Sequence, residues 1–443
     1  QQIAPEVIRQ QVSRAMAGGG YEWGASYGIA QTLHEIVGTG DSYAQREDWR
    51  NAATVYTTVA QAILEYYESA YDEEGEILAP VDGCVAGLGE CLEAITDDVA
   101  REGILRALFE VYRWDVNFGG AGVGDEAPML ILEQATPEER QVVATWVRAS
   151  LPTEGDAFTL EWRKRAYGGF LLELEADQLD DESFLRICRE TGRIHDLVDR
   201  LLALGRVDEA VEVAQSASDY DLLELANCFV AHQQDRLAQR LIQERAHSSK
   251  DMRLKQWLQA YAQAHHDPEQ ALQLAEELFW MQPSIQGYGK LQALAEPLQR
   301  WPALREAVLT RLAQDPRYAG LVVEIYLSED QVALALKTLN AAESGKNRDL
   351  FWGCGAPLRI RVAQAAERDF PWESVDLYMR AIESLVAMRG RDNYATAARH
   401  LLRVREIHKR LGESARFDLV LQNLRDAHRN LPAFKDELNK AGL

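Results

Sequence analysis

The chain has 443 residues, 47% of them hydrophobic, and a net charge of -23. Apolar content of that order excludes a disordered polyampholyte, and the acid excess repels phosphate backbones, so direct nucleic-acid binding is not expected. The acid is concentrated early: residues 1–200 hold 16 Lys and Arg against 37 Asp and Glu, residues 201–390 hold 20 against 26, and residues 391–443 hold 11 against 7.

In chain order the dominant signal is helical. Ala52, Val55, Tyr56, Val59, Ile63 and Tyr67 fall on one stripe of period 3.6. Cys84, Leu88, Cys91, Leu92 and Ile95 make a second stripe, Ile194, Leu197, Val198, Leu201 and Leu202 a third, and Phe417, Val420, Leu421 and Leu424 a late one. Good helix formers are abundant and sustained alternation is absent. The segments expected to break helices are Ala17–Tyr21, Gly38–Ser42, Asp72–Glu76, Phe118–Pro128, Leu151–Asp156, Asp267-Pro268, Gln282–Ser284, Asp315-Pro316 and Gly353–Pro357. These divide the chain into an acidic N-terminal helical domain, 1–155, and a helical-repeat region, 156–443.

A short phrase recurs within that pattern. In "GRVDEAVEVAQ" Ala210 stands five residues after Gly205. Ala271 follows His266, Ala333 follows Ser328, Ala52 follows Glu47 and Ala397 follows Asp392 at the same distance, with Ala238 and Val375 in comparable phrases. From 210 onward the intervals are 28, 33, 62, 42 and 22. The first three predict a period near thirty with one copy hidden; the last two break it. A small residue at the entry to a second helix lets two backbones approach, which is the logic of two-helix repeats. The units resemble degenerate tetratricopeptide repeats. The expected fold is all-α, an irregular α-solenoid of antiparallel helical hairpins.

A further resemblance rests on both ends of the chain. Tyr394, Ala397 and Ala398, then Leu411-Gly412, then Leu424, Arg425 and His428, with the segment Asp72–Ile95, are similar to the helical region of bacterial SWIM zinc-finger proteins. The resemblance implies an accessory arm of nucleic-acid-associated machinery. The finger itself requires C-x-C and C-x-H pairs, and neither occurs here. No zinc site is therefore expected, and no DNA contact transfers to these residues. The chain begins at Gln1 and not at methionine, which predicts a preceding segment.

Chemistry is sparse. The glycine run Gly119–Gly124 lacks the Lys-Ser/Thr of a phosphate loop and is followed by Asp125 and Glu126. The stretch His34–Gly38 lacks the second histidine of a zinc-protease helix, and His265 and His266 diverge before a capping Asp267. Acidic clusters at Asp72–Glu76, Asp97-Asp98 and Asp180–Glu182 have no EF-hand spacing. Glu406 interrupts the stripe Arg399, Arg403, Arg410, giving an ion-paired surface. Cys84 and Cys91 read as buried small hydrophobes. Trp280, Trp301, Trp352 and Trp372 read as core, or as peptide anchors wherever they are exposed. Five scattered cysteines, no signal peptide and no apolar run near 20 residues predict a reducing, cytoplasmic setting without membrane contact. No catalytic, cofactor-binding or metal-binding residue is identified, no cofactor is expected, and the partner-binding residues are unplaced. The function read from the sequence is a non-enzymatic protein-interaction scaffold with a protein partner, favourably a basic one.

Overall fold

The computed structural model describes residues 3–17, 25–67, 72, 75–344 and 355–443. Trp352, Cys354, and parts of the segments Ala17–Tyr21, Asp72–Glu76 and Gly353–Pro357 lie outside the described residues. The described residues are α-helical with one 3-10 turn and no strand: the protein is an all-α solenoid of consecutive helical hairpins. Two compact units divide it, Gln1–Ala238 and Gln239–Leu443.

The first unit contains α1 (Pro5–Ala17), α2 (Ala25–Ala44), α3 (Trp49–Tyr67), α4 (Ala79–Ala94), α5 (Asp98–Phe118), α6 (Glu126–Gln134), α7 (Pro137–Ala149), α8 (Ala157–Leu174), α9 (Asp181–Thr191), α10 (Ile194–Ala203), α11 (Val207–Ser216), α12 (Asp219–Ala231) and the start of α13 (Asp235–Ser248). From α1 to α6 each helix packs on the next and on the next but one, which is how a solenoid buries faces that no single hairpin can cover. Leu151–Asp156 is the loop between α7 and α8.

Gly38–Ser42 does not break a helix. It lies inside α2, so the stretch His34–Gly38 is mid-helix and not a helix end. Tertiary packing supplies the reason. The Tyr56 ring on α3 lies between Gly40 of α2 and Gly87 of α4; a Cβ at either glycine would stand 2.5 Å from the ring. The Tyr56 hydroxyl donates to Asp41 Oδ1 at 2.7 Å. Glycine here is selected for a close helix approach, and the helix absorbs its intrinsic cost.

Arg101 ties the next layers together. Its Nη1 donates to the carbonyls of Leu92 and Ile95 at the end of α4. Its Nη2 reaches the Gln134 carbonyl at the end of α6 and, together with Nε, Glu139 of α7. Glu139 and Thr136 form the capping box of α7. One guanidinium thus satisfies carbonyls that two helix ends leave unpaired.

The second unit contains the rest of α13, then α14 (Met252–Ala264), α15 (Pro268–Met281), α16 (Ile285–Ala295), α17 (Trp301–Ala313), α18 (Ala319–Ser328), α19 (Val332–Ser344), α20 (Gly355–Ala366), α21 (Pro371–Met388), α22 (Arg391–Arg410), α23 (Ser414–Ala427) and α24 (Pro432–Lys440). Two of its buried tyrosines are satisfied alike. Tyr288 donates to Glu329, which Arg305 clamps. Tyr378 donates to Glu367, which Arg403 clamps bidentately.

The recurrent phrase is a turn with a left-handed residue. Glu47, Gly205, Gln233, His266, Gln299 and Asp330 all have φ between 55° and 72°. In each case the next residue's N–H reaches back to the carbonyl five positions earlier, as in Arg206 to Leu201, Gln234 to Phe229 and Arg300 to Ala295, closing a Schellman turn. Five residues after the left-handed position stand Ala52, Ala210, Ala238, Ala271 and Ala335, all fully buried. The copy hidden from the sequence is Gln299, with Leu304 in the alanine's place. Ala333 was the wrong alanine, because Ser328 is still helical and the turn residue is Asp330. Asp392 and Phe370 are not left-handed turns. From Gly205 the turn residues recur at 233, 266, 299 and 330.

Two outcomes follow. Gly87→Ala lowers stability by about 2 kcal/mol in thermal or denaturant unfolding, because the clash with Tyr56 outweighs alanine's better helix propensity. Gln299→Gly raises stability by up to about 1 kcal/mol by removing left-handed strain from a side-chain-bearing residue.

Candidate interaction surface

Residues 51–100 contain 11 Asp and Glu and no Lys or Arg. On α4, Asp82, Glu90 and Glu93 are exposed and fall on one outward stripe that Asp97 continues past the helix end. Of these, Asp97 meets Arg50 at 3.5 Å, a well-exposed pair. For Asp82, Glu90 and Glu93 no ion pair forms among the described residues.

The glycine run Gly119–Gly124 is the loop between α5 and α6. Its amides serve an internal carboxylate and not a phosphate. Asp115 is only 4% exposed near the end of α5; the nearby amides of Ala121, Gly122 and Val123 favour its charged form, while its Oδ1 has no hydrogen-bond partner. Gly119 and Gly120 also donate to the Asp115 carbonyl at 3.1 and 2.9 Å. Gly124 packs so closely that a Cβ there would lie 2.9 Å from Tyr112 Cα. Burial, and then the Asp125 charge, still push the Asp115 carboxyl above the ordinary aspartate range.

The same loop brings carboxylates to the α4 stripe. Although the Asp82 side chain reaches solvent, partial burial of its carboxyl pushes it up first, then the negative charges of Glu126, Asp125 and Asp115. Asp82 on α4 thus feels the charges of Asp115 on α5, Asp125 in the loop and Glu126 on α6, and none of the four forms an ion pair among the described residues. Like charges held together cost stability, and that cost falls when a cation arrives.

An aromatic rim adjoins the loop. Trp162 on α8 rests against Gly120, whose added Cβ would stand 3.1 Å from Trp162 Cζ2. Arg163, the next residue, donates to the Asn117 carbonyl at 2.6 Å and fixes α8 against the end of α5. Phe118 is 47% exposed, Trp162 43% and Phe158, one turn before Trp162, 84%. Behind Phe118, Trp114 stacks on its ring at 4.5 Å and Tyr67 meets both edge-on. These exposed aromatics went unnoticed in the sequence, although Phe158 and Trp162 at i, i+4 open a helix whose apolar stripe begins later, at Tyr167.

The other sequence candidates have structural roles. Asp97 and Asp180 cap helices, accepting from Ala100 and Ser183. Asp72 accepts from the amides of Glu76 and Ile77. Asp181 and Glu182 pair with Arg200 and Arg206. Asp267 caps α15 with Pro268 in its first turn, His265 stacks on Tyr261, and His266 is the left-handed turn residue. Among the described residues no group of three His, Cys, Asp or Glu is placed to hold a metal ion. Cys84 and Cys91 are fully buried, and burial pushes the Cys91 thiol up to about 12. Arg403 pairs with Glu367 of the α20–α21 turn, and Arg410 donates to its carbonyl; Glu406 is not their partner. Arg311 covers Trp280 and Arg416 covers Trp372, while Trp301 packs edge-on against Tyr288. No helix among the described residues is long and apolar enough to cross a membrane.

No family model matches the chain, and no curated protein matches it. Solved structures similar to it are helical-repeat proteins. One is a circular tandem repeat protein with novel repeat topology, 16% identical, covering 99% of this chain and 95% of that one, with a TM-score of 0.26. A tetratricopeptide repeat domain is 11% identical over 99% of this chain and 97% of its own, with a TM-score of 0.20. The anaphase-promoting complex assembly Cut9–Hcn1 is 11% identical over 99% and 96%, with a TM-score of 0.21. The solenoid assignment rests on the helices and turns themselves.

The raised Asp82 carboxyl sets a pH dependence. A carboxyl whose folded value lies above its unfolded one contributes stability below about pH 4 and loses it as pH rises through the folded value. Asp82→Asn therefore raises stability at pH 7 by less than about 1 kcal/mol, seen as a higher melting temperature, and the gain shrinks on acidification. Melting curves at pH 4 and pH 7 check it.

Proposed function

We infer that the chain is a non-enzymatic interaction scaffold whose first unit receives a cationic segment of a partner protein. The observation that carries this reading is that Asp82 on α4, Asp125 in the loop and Glu126 on α6, helices that pack together, form no ion pair among the described residues, while burial first and then its neighbours' charge raise the Asp82 carboxyl. A partner's lysines or arginines relieve that repulsion, steer encounter and make association salt-sensitive. The solenoid supplies a rigid platform: helices α4, α5 and α6 pack on one another, and the loop that carries Asp125 is stapled to α5 by Asp115.

A setting in the cytoplasm accords with four described cysteines that form no disulfide. Direct contact with nucleic acid is disfavoured by the same charge that favours a basic protein.

The test uses a labelled nona-lysine peptide as probe. It binds the wild-type chain at low salt. The triple variant Asp82→Asn, Asp125→Asn, Glu126→Gln binds it about tenfold more weakly, and raising salt narrows the difference. Equal binding by both proteins rules this face out as the docking surface.

A further inference from the structure

Resting on the reading of the acidic face as a docking surface, we propose that the rim of Phe118, Phe158 and Trp162 beside Asp125 and Glu126 selects arginine over lysine, taking a partner's guanidinium flat against the aromatic faces with its edge toward the carboxylates.

The chain's own packing shows the pairing. Arg106 lies over Trp146 at 3.6 Å, Arg311 over Trp280 at 3.9 Å, Arg416 over Trp372 at 4.4 Å, and Arg200 over Phe184 at 4.2 Å. Trp162, although exposed, has no such arginine among the described residues. Its successor Arg163 is engaged elsewhere, donating to the Asn117 carbonyl. Lys164 is on the same helix but carries no fork of donors.

One short loop connects the two halves of the site. Gly120 touches Trp162, and Gly122, two residues on, lies against Asp125, whose Oδ2 would be 3.6 Å from a Cβ there. The aromatic face and the carboxylate are thus separated by one short, stapled loop. Guanidinium suits this pair better than ammonium. It is planar, weakly hydrated on its faces, and presents N–H donors at its edge, so it stacks and donates at once. An ammonium must give up a tighter hydration shell to do the first and gains no directional edge for the second.

Charge selects the partner's sign and the rim selects its chemistry. The occupant is an arginine-bearing segment of a partner protein, which the net charge of the first 200 residues attracts over distance.

The test compares nona-arginine with nona-lysine, equal in charge and length, by fluorescence anisotropy on the full chain at one ionic strength. Wild-type protein binds nona-arginine about tenfold tighter. In the double variant Phe158→Ala, Trp162→Ala that preference falls to about threefold or less, because nona-arginine loses more affinity than nona-lysine. Trp162→Phe keeps most of the preference. Should the double variant lose helicity by circular dichroism, Phe158→Ala alone, at a site 84% exposed, carries the comparison. A preference that survives loss of the aromatics, or no preference in the wild type, overturns the rim as a selector and leaves the acidic docking face standing. Failure of both peptides to bind removes the docking face as well.

Discussion

Everything else in this fold depends on how closely two helices approach where a hairpin turns. At five turns a left-handed residue closes the first helix, its successor's amide satisfies a terminal carbonyl, and five positions on an alanine lets the second helix lie against the first; at Gly192, Gln299 and Gly412 the same turn is followed by Leu197, Leu304 and Phe417. With that contact set, the apolar stripes face the next hairpin and the stack grows. Where the approach must be closer still, glycine takes over, as at Gly40 and Gly87 on either side of Tyr56. The polar clamps around Arg101, Glu329 and Glu367 then satisfy the groups that such close packing removes from water.

Much of this was legible in the sequence. Helical stripes such as Cys84–Ile95 predict buried faces, and those residues are buried. The small residue five after a turn predicts the hairpin, and it holds at Ala52, Ala210, Ala238 and Ala271. What the sequence hid follows from chemistry that leaves no distinctive letter. Gln299 adopts the same left-handed turn as Gly205, yet nothing in a glutamine announces positive φ, and Leu304 replaces the small residue. Gly38–Ser42 reads as a break because a glycine's local cost is visible and its tertiary purpose is not; only Tyr56, far along α3, explains it.

The candidate surface was less legible for a similar reason. Its total charge is plain from composition. Its location depends on the loop Gly119–Gly124, which looks like a phosphate cradle and instead is tied by Gly119 and Gly120 to the Asp115 carbonyl, close over the buried Asp115 side chain. That internal anchor carries Asp125 to the vicinity of Asp82 and places Gly120 beneath Trp162. No spacing rule links α4, the α5–α6 loop and α8, so the packing of Trp162 on Gly120 and the closeness of Asp82 to the loop's charges belong to the fold.

The most direct measurement is affinity capture of the full chain from a lysate of its native cell at two salt concentrations, with mass spectrometry of what is retained, run beside the variant lacking the Asp82, Asp125 and Glu126 charges. The account predicts a basic protein, held at low salt, lost at high salt and lost from the variant. A partner held equally by both proteins and indifferent to salt contradicts it.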